Sequence, residues 1–214
     1  MKMKLQLALD LLDIIKIDNI INETFEFIEV IEIGTPVIMK YGINVVTDIK
    51  RKYKNKTILA DLKIIDGGKK EADLGYKAGA DIITLLSHSD QNTLMYVKEA
   101  SRESKKEVMI DFINNKYNKN IYTDLLNYKF DYYCIHTSHD SIFSGNNPLD
   151  DLKRFKVICN NNKIAVAGGI DLKLIDKIII YEPKLIVVGS YITNSNNPKT
   201  AVKNLYKKMN NVSN

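Results

Sequence analysis

Short apolar segments alternate with longer amphipathic stretches along the whole chain. The apolar segments fall at residues 5–10, 27–34, 57–63, 81–87, 107–113, 131–137, 163–169 and 185–192, and each is predicted to be a strand. Stretches between them, such as residues 71–78, 93–100 and 198–206, carry apolar side chains at helical spacing, and Pro198 stands where a first helical turn accepts proline. Ala78-Gly79-Ala80-Asp81 is a helix stop followed by a strand start. Eight strand–helix units predict one α/β domain, a (β/α)8 barrel over residues 1–210, with a frayed Asn-rich tail at 211–214. A doubly wound open sheet would show fewer strands and a glycine-rich turn after the first. Here Leu11-Leu12-Asp13 follows instead.

The barrel reading directs attention to the C-terminal strand ends, where such folds carry their chemistry. Polar residues gather there, strand after strand. Asp10 closes the first, Glu32 sits late in the second, and Asp61 and Lys63 end the third. Asp111 is late in the fifth, His136 ends the sixth, Gly168-Gly169 end the seventh, and Gly189-Ser190 lie late in the eighth. Asp61 and Lys63 are two apart on a strand and project to one face, with Asp66 opening the next turn. A solvated salt bridge is the plainer account of those three charges. Charges converging from five strand ends need pairing or a metal, because burying them bare is costly. Glu32 and Asp61, from adjacent strands, suit Mg²⁺, with Mn²⁺ as the second candidate, since both take oxygen ligands and keep waters. Gly168, Gly169, Gly189 and Ser190 suit a phosphate, because barrels bind anions on backbone N–H groups near strands seven and eight. His136 is placed to move protons near neutral pH, whereas His139 on the following loop is expected to be idle and His88 is ambiguous.

Composition narrows the classes. The 214 residues are 45% hydrophobic and 27% charged, ordinary for a globular domain. No apolar run reaches the length of a membrane span, and Asp10 and Asp13 interrupt the stretch a signal peptide would need, so a cytoplasmic, membrane-free protein is expected. Cys134 and Cys159 lack metal spacing; Cys134 is expected to be a small buried side chain. The net charge of +5 is spread over interleaved lysines and acids, without the dense basic block a nucleic-acid partner needs, yet it suits an anionic small molecule.

The chain resembles the 3-hexulose-6-phosphate synthase family, within the orotidine-phosphate decarboxylase-like barrels. The matching pieces are Leu5-Gln6-Leu7-Ala8-Leu9-Asp10, Glu32-Ile33-Gly34-Thr35-Pro36, Ala60-Asp61-Leu62-Lys63-Ile64-Ile65-Asp66-Gly67-Gly68 and Lys77-Ala78-Gly79-Ala80-Asp81. His136-Thr137, Gly145-Asn146-Asn147-Pro148-Leu149, Val166-Ala167-Gly168-Gly169-Ile170 and Val187-Val188-Gly189 complete them. The resemblance implies a metal-dependent aldol condensation of formaldehyde with D-ribulose 5-phosphate, giving D-arabino-3-hexulose 6-phosphate through an enediolate. It implies Glu32 and Asp61 as metal ligands, and Asp10, Lys63 and Asp66 as holders of the substrate hydroxyls and the enediolate. It further implies His136 as the proton-transfer group and a homodimer in which Asp66 reaches the partner's site. The chain departs from the family at Gly189-Ser190-Tyr191, in the loop at 136–143, and at Asn114-Asn115. The rival within the family is 3-keto-L-gulonate 6-phosphate decarboxylase, whose members carry an arginine shortly after the histidine, where this chain has Thr137-Ser138-His139. A phosphosugar-binding protein without catalysis would lack Lys63, Asp61 or His136, and all three are present.

Overall fold

The computed structural model describes residues 3–115, 118–142, 144–159 and 163–210. The tail at 211–214 and Phe143 of the 136–143 loop lie outside them. Eight parallel strands close a barrel in sequence order: β1 (Lys4–Leu9), β2 (Val30–Ile33), β3 (Thr57–Ile64), β4 (Ile82–Leu86), β5 (Glu107–Asp111), β6 (Tyr132–His136), β7 (Ile164–Ala167) and β8 (Leu185–Val188). The helices are α1 (Ile14–Thr24), α2 (Thr35–Tyr41), α3 (Asn44–Lys52), α4 (Gly68–Lys77), α5 (Gln91–Ser104), α6 (Lys119–Asn127), α7 (His139–Ile142), α8 (Leu149–Ile158), α9 (Leu172–Ile178), α10 (Ser190–Thr193) and α11 (Pro198–Asn210). This is the predicted (β/α)8 barrel.

Local chemistry sets several helix starts. Asp13 accepts hydrogen bonds from the N–H groups of Ile15 and Lys16, and Asp171 does the same for Lys173 and Leu174. Asp90 caps α5 through Asn92 N, and Asn118 caps α6. The strands bury two layers. Leu5, Leu7 and Leu9 of β1 face outward into the shell shared with the helices. Ala8, Val30, Leu59, Ile82, Met109 and Leu185 belong to the separate cluster that fills the barrel. Below that filling, at the N-terminal face, Asp81 accepts from Lys50 Nζ and Lys106 Nζ at 2.6 Å each and from Ile58 N at 2.9 Å. That cluster ties α3, β3 and β4 together on the face opposite the mouth.

Two strand boundaries are shorter than the apolar pattern predicts. The eighth segment stops at Val188, because Gly189 (φ −109°, ψ −95°) leaves the extended region and residues 190–193 form α10. The second begins at Val30, because Phe25–Phe27 form a 3₁₀ turn. Hydrophobicity alone cannot separate such a turn from a strand. Among the described residues, no helix is long and apolar enough to cross a membrane.

Candidate active site

The mouth of the barrel holds a cavity of about 670 Å³, lined from Gln6 on β1 round to Asn194 after α10. Asp10, Glu32, Asp61, Lys63, Asp111 and His136 all line it, as do Gly168, Gly169, Gly189 and Ser190. Strand parity explains the convergence: Gln6, Ala8 and Asp10, like Leu59, Asp61 and Lys63, alternate inward while their neighbours pack on helices.

Asp61 is the centre of the network. It is 4% exposed and accepts from Thr84 Oγ1 at 2.8 Å. Thr35 Oγ1 stands 2.9 Å from Asp61 Oδ2 and 2.7 Å from the Asp61 main-chain oxygen. Lys63 Nζ forms an ion pair with Asp61 Oδ2 and donates to Thr35 Oγ1 at 3.2 Å. Burial by itself pushes the Asp61 carboxyl up, but the Lys63 ammonium and the two threonine hydroxyls outweigh it and hold the group below its ordinary value. Burial likewise opposes the charge on Lys63, and Asp61, Glu32 and Asp111 together raise its pKa above the ordinary lysine value. Lys63 is therefore a fixed cation, unsuited to forming an imine.

Lys63 occupies the left-handed region, at φ 47°, where the β3–β4 register shifts between Ala60 and Ile64. A non-glycine residue there is strained by about 1–3 kcal/mol, and such strain clusters at functional sites. Thr84 supports the bulge: its hydroxyl accepts from Lys63 N at 2.8 Å while donating to Asp61.

Glu32 projects from β2 beside this pair. Burial, then the charges of Asp61 and Asp10, push its pKa up to about 8, against the hydrogen bond from Gln6 Nε2. The other amide atom, Gln6 Oε1, is buried with no hydrogen-bond partner. Asp10 is raised by burial and by Asp61, with Lys63 and His136 opposing. Gly34 makes room for it, since a Cβ at that position would lie 2.1 Å from Asp10 Oδ1 and 2.6 Å from Leu9 O. The buried Asp61 carboxylate, the half-buried Glu32 beside it and an orphaned amide oxygen form a donor set that a hard divalent cation satisfies.

On the opposite wall, His136 Nδ1 is 2.9 Å from Asp111 Oδ2 and 3.1 Å from Oδ1. Burial disfavours the imidazolium, but Asp111 overcomes this and raises the His136 pKa. Asp111 Oδ1 also accepts from Ile113 N at 2.9 Å, which fixes the carboxylate that orients the ring. The glycine corner completes the mouth. Gly168 turns the chain at φ 106°, and a Cβ there would lie 2.3 Å from Thr137 O, so only glycine fits.

Two residues flagged by the sequence stand elsewhere, and a third reaches the cavity only at its edge. Asp66, just after β3, is exposed, its Oδ1 accepting from Gly67 N at 2.7 Å, and it does not line the cavity of its own chain. His88 is exposed and away from the cavity, and His139 reaches only its rim, with an exposed side chain. Thr35, Thr84 and Gln6 are the polar groups whose roles sequence reasoning missed. Their signal was polarity at inward-facing strand positions, Gln6 and Thr84 by parity and Thr35 by its place at the start of α2.

Fold and site together define a (β/α)8 barrel enzyme whose mouth pairs a cluster of carboxylates with a glycine-lined corner. The chain belongs to the orotidine 5'-phosphate decarboxylase / HUMPS family, whose model matches residues 3–205. It is 38% identical over 193 residues, 90% of this chain and 92% of the relative, to a 3-hexulose-6-phosphate synthase of Bacillus subtilis. It is 33% identical over 201 residues, 94% of this chain and 96% of the relative, to 3-hexulose-6-phosphate synthase 3 of Staphylococcus saprophyticus. The crystal structure of 3-hexulose-6-phosphate synthase from Salmonella typhimurium superposes with a TM-score of 0.93 at 33% identity, covering 97% of this chain and 98% of that one.

Proposed function

We infer that this protein condenses formaldehyde with D-ribulose 5-phosphate to give D-arabino-3-hexulose 6-phosphate, as the names of its relatives suggest. The observation that carries the reading is the Asp61–Lys63 ion pair beside Glu32, opposite the His136–Asp111 pair. Glu32 and Asp61 would hold a divalent cation, Mg²⁺ in preference to Mn²⁺. Once bound, it supplies Lewis-acid charge at the substrate carbonyl, a contribution worth several kcal/mol.

The chain's own groups do the rest. The backbone at Gly168, Gly169, Gly189 and Ser190 receives the phosphate, and that remote binding positions the reacting end of the sugar. Removing a proton from C1 of ribulose 5-phosphate leaves an enediolate, and Lys63 places fixed positive charge beside it. C1 then attacks the formaldehyde carbon, and the oxygen of that carbon takes a proton. His136, oriented by Asp111, is the group placed to carry protons at the wall where these steps meet. Asp10 holds a substrate hydroxyl. Lys63 is the fixed cation of the cavity, and none of the three arginines, Arg51, Arg102 and Arg154, lines it. A 3-keto-L-gulonate 6-phosphate decarboxylase would use an arginine after the histidine, so the condensation is the better fit.

The family's homodimer is part of this reading. Ile65, Leu74, Met95 and Tyr96 are large exposed apolar side chains on α4, α5 and the loop carrying Asp66. A Cβ on Gly68 would lie 3.2 Å from Tyr96 Cβ, so Tyr96 is packed close to that loop. An apolar face around Asp66 suits a second copy of the chain and would carry Asp66 to the partner's mouth. The protein would work in the cytoplasm. Consumption of formaldehyde with ribulose 5-phosphate tests the reading: it should require the sugar phosphate, stop with EDTA and return with Mg²⁺. No metal-dependent consumption, together with CO₂ release from 3-keto-L-gulonate 6-phosphate, would overturn it.

A further inference from the structure

Cys134 stands beside the proposed chemistry yet has no part in it. It lies on β6, two residues before His136, so both side chains point into the barrel. It is 3% exposed and lines the cavity. One ligand atom each from Asp111, Cys134 and His136 lies within 4.8 Å of the other two. Tetrahedral zinc, with bonds of about 2.0–2.3 Å, needs ligand atoms about 3.3–3.8 Å apart, so small side-chain rotations bring the three into place. All three line the open cavity, which leaves room for a water as fourth ligand.

We propose that Asp111, Cys134 and His136 form a second metal site, selective for a thiophilic ion of the zinc type, whose occupation inhibits the enzyme. The donors decide the selectivity. Glu32 and Asp61 offer oxygen alone, which suits magnesium; sulfur and imidazole nitrogen suit zinc, cobalt(II) or nickel(II). Binding replaces the thiol proton, which leaves to solvent, so a thiolate and the Asp111 carboxylate together balance the two charges of the ion. A neutral cluster is the arrangement a buried site accepts at least cost. The ion also takes the histidine and its orienting carboxylate out of use, since both become ligands. Zinc in the mouth therefore blocks proton transfer without touching Glu32 or Asp61.

The test reads metal binding directly and does not depend on which substrate the enzyme uses. The full-length protein, saturated with Mg²⁺, is dialysed against Zn²⁺, and separately titrated with Co²⁺ while thiolate-to-cobalt charge-transfer absorption is followed. One Zn²⁺ per chain, retained against excess Mg²⁺, and a charge-transfer band are expected. Cys134→Ala should lose the band and weaken Zn²⁺ binding by more than the roughly 10–100-fold that loss of an outer-shell partner costs. Its turnover without zinc should be unchanged, while its inhibition by Zn²⁺ is relieved; Cys134→Ser keeps the side-chain volume and should also lose the band. Cys159→Ala, altering the other buried cysteine, should behave as the wild type. Equal Zn²⁺ affinity in Cys134→Ala, displacement of Zn²⁺ by Mg²⁺, or no band in the wild type would overturn the site. A protein that fails the formaldehyde assay but binds zinc through Cys134 would overturn the proposed reaction alone.

Discussion

Asp61 gathers a threonine from α2, a threonine from β4 and the ammonium two residues along its own strand, and each contact has a separate consequence. The threonines satisfy the carboxylate's oxygens, and Lys63 keeps it ionised in a buried place. Asp61→Ala is expected to leave the far-ultraviolet circular dichroism unchanged and to lower turnover by at least about 100-fold, since it removes the proposed metal ligand and the anchor of Lys63 together. Near-normal turnover in that variant would remove Asp61 from the mechanism. On the facing wall, burial disfavours a charged His136, and Asp111 is the main group that offsets it, with a smaller contribution from Glu32. Asp111→Asn should therefore move the His136 titration, followed by ring-proton NMR, below both the wild-type midpoint and the ordinary histidine value. The sign for stability follows. A raised histidine pKa contributes stability that is full below the unfolded-state value and is lost as pH rises through the folded-state value, and Asp111→Asn, which drops the ring below its ordinary value, should reverse that dependence so that stability rises with pH through the same range. An unmoved midpoint would show that the ring does not depend on this carboxylate.

Elements carry the site because strands with period-two alternation leave one inward position at each C-terminal end. That alternation was legible in the sequence, and so were Asp10, Glu32, Asp61, Lys63 and His136 as strand-end groups. Asp111 was visible late in its strand, but its bond to His136 was not, because partners on different strands depend on barrel register. The left-handed turn at Lys63 was equally hidden, since lysine gives no signal for a positive φ and Thr84, which supports it, lies on the next strand. The far end of the barrel shows the structural use of the same charges. Asp81 accepts from two lysines and from the Ile58 N–H, and these hold its carboxyl below the ordinary value although burial pushes it up. Asp81→Asn should cost about 1–2 kcal/mol, because hydrogen bonds to a charged group are lost at a partly exposed site. That corresponds to a fall in melting temperature of about 2–8 °C for a chain of this size. The effect belongs near neutral pH and should fade as acid protonates Asp81, passing through its lowered folded-state pKa. Turnover at low temperature should be unaffected, and a large loss of activity would place Asp81 in the chemistry instead.

At the scale of the whole molecule, barrel closure brings Asp10, Glu32, Asp61, Lys63, Asp111 and His136 into one cavity and leaves Asp66 outside it. Pattern alone could not separate Asp66 from its neighbours, because a residue that would serve a partner's site looks like any helix-start acid. Mixing two inactive variants separates the accounts. Unfolded together and refolded, Asp66→Ala and Lys63→Ala chains should recover about a quarter of wild-type activity, since half the dimers are mixed and one of their two sites is complete. A mixture as inactive as its components would mean that each chain supplies its own Asp66 or that the chain acts alone. The central claim is the new carbon–carbon bond. Isotopically labelled formaldehyde, ribulose 5-phosphate and Mg²⁺ are incubated with the protein and followed by carbon NMR. The account predicts that the formaldehyde-hydrate signal is replaced by one hydroxymethyl carbon at the head of a six-carbon ketose phosphate. A label that stays in formaldehyde while ribulose 5-phosphate is unchanged would contradict it.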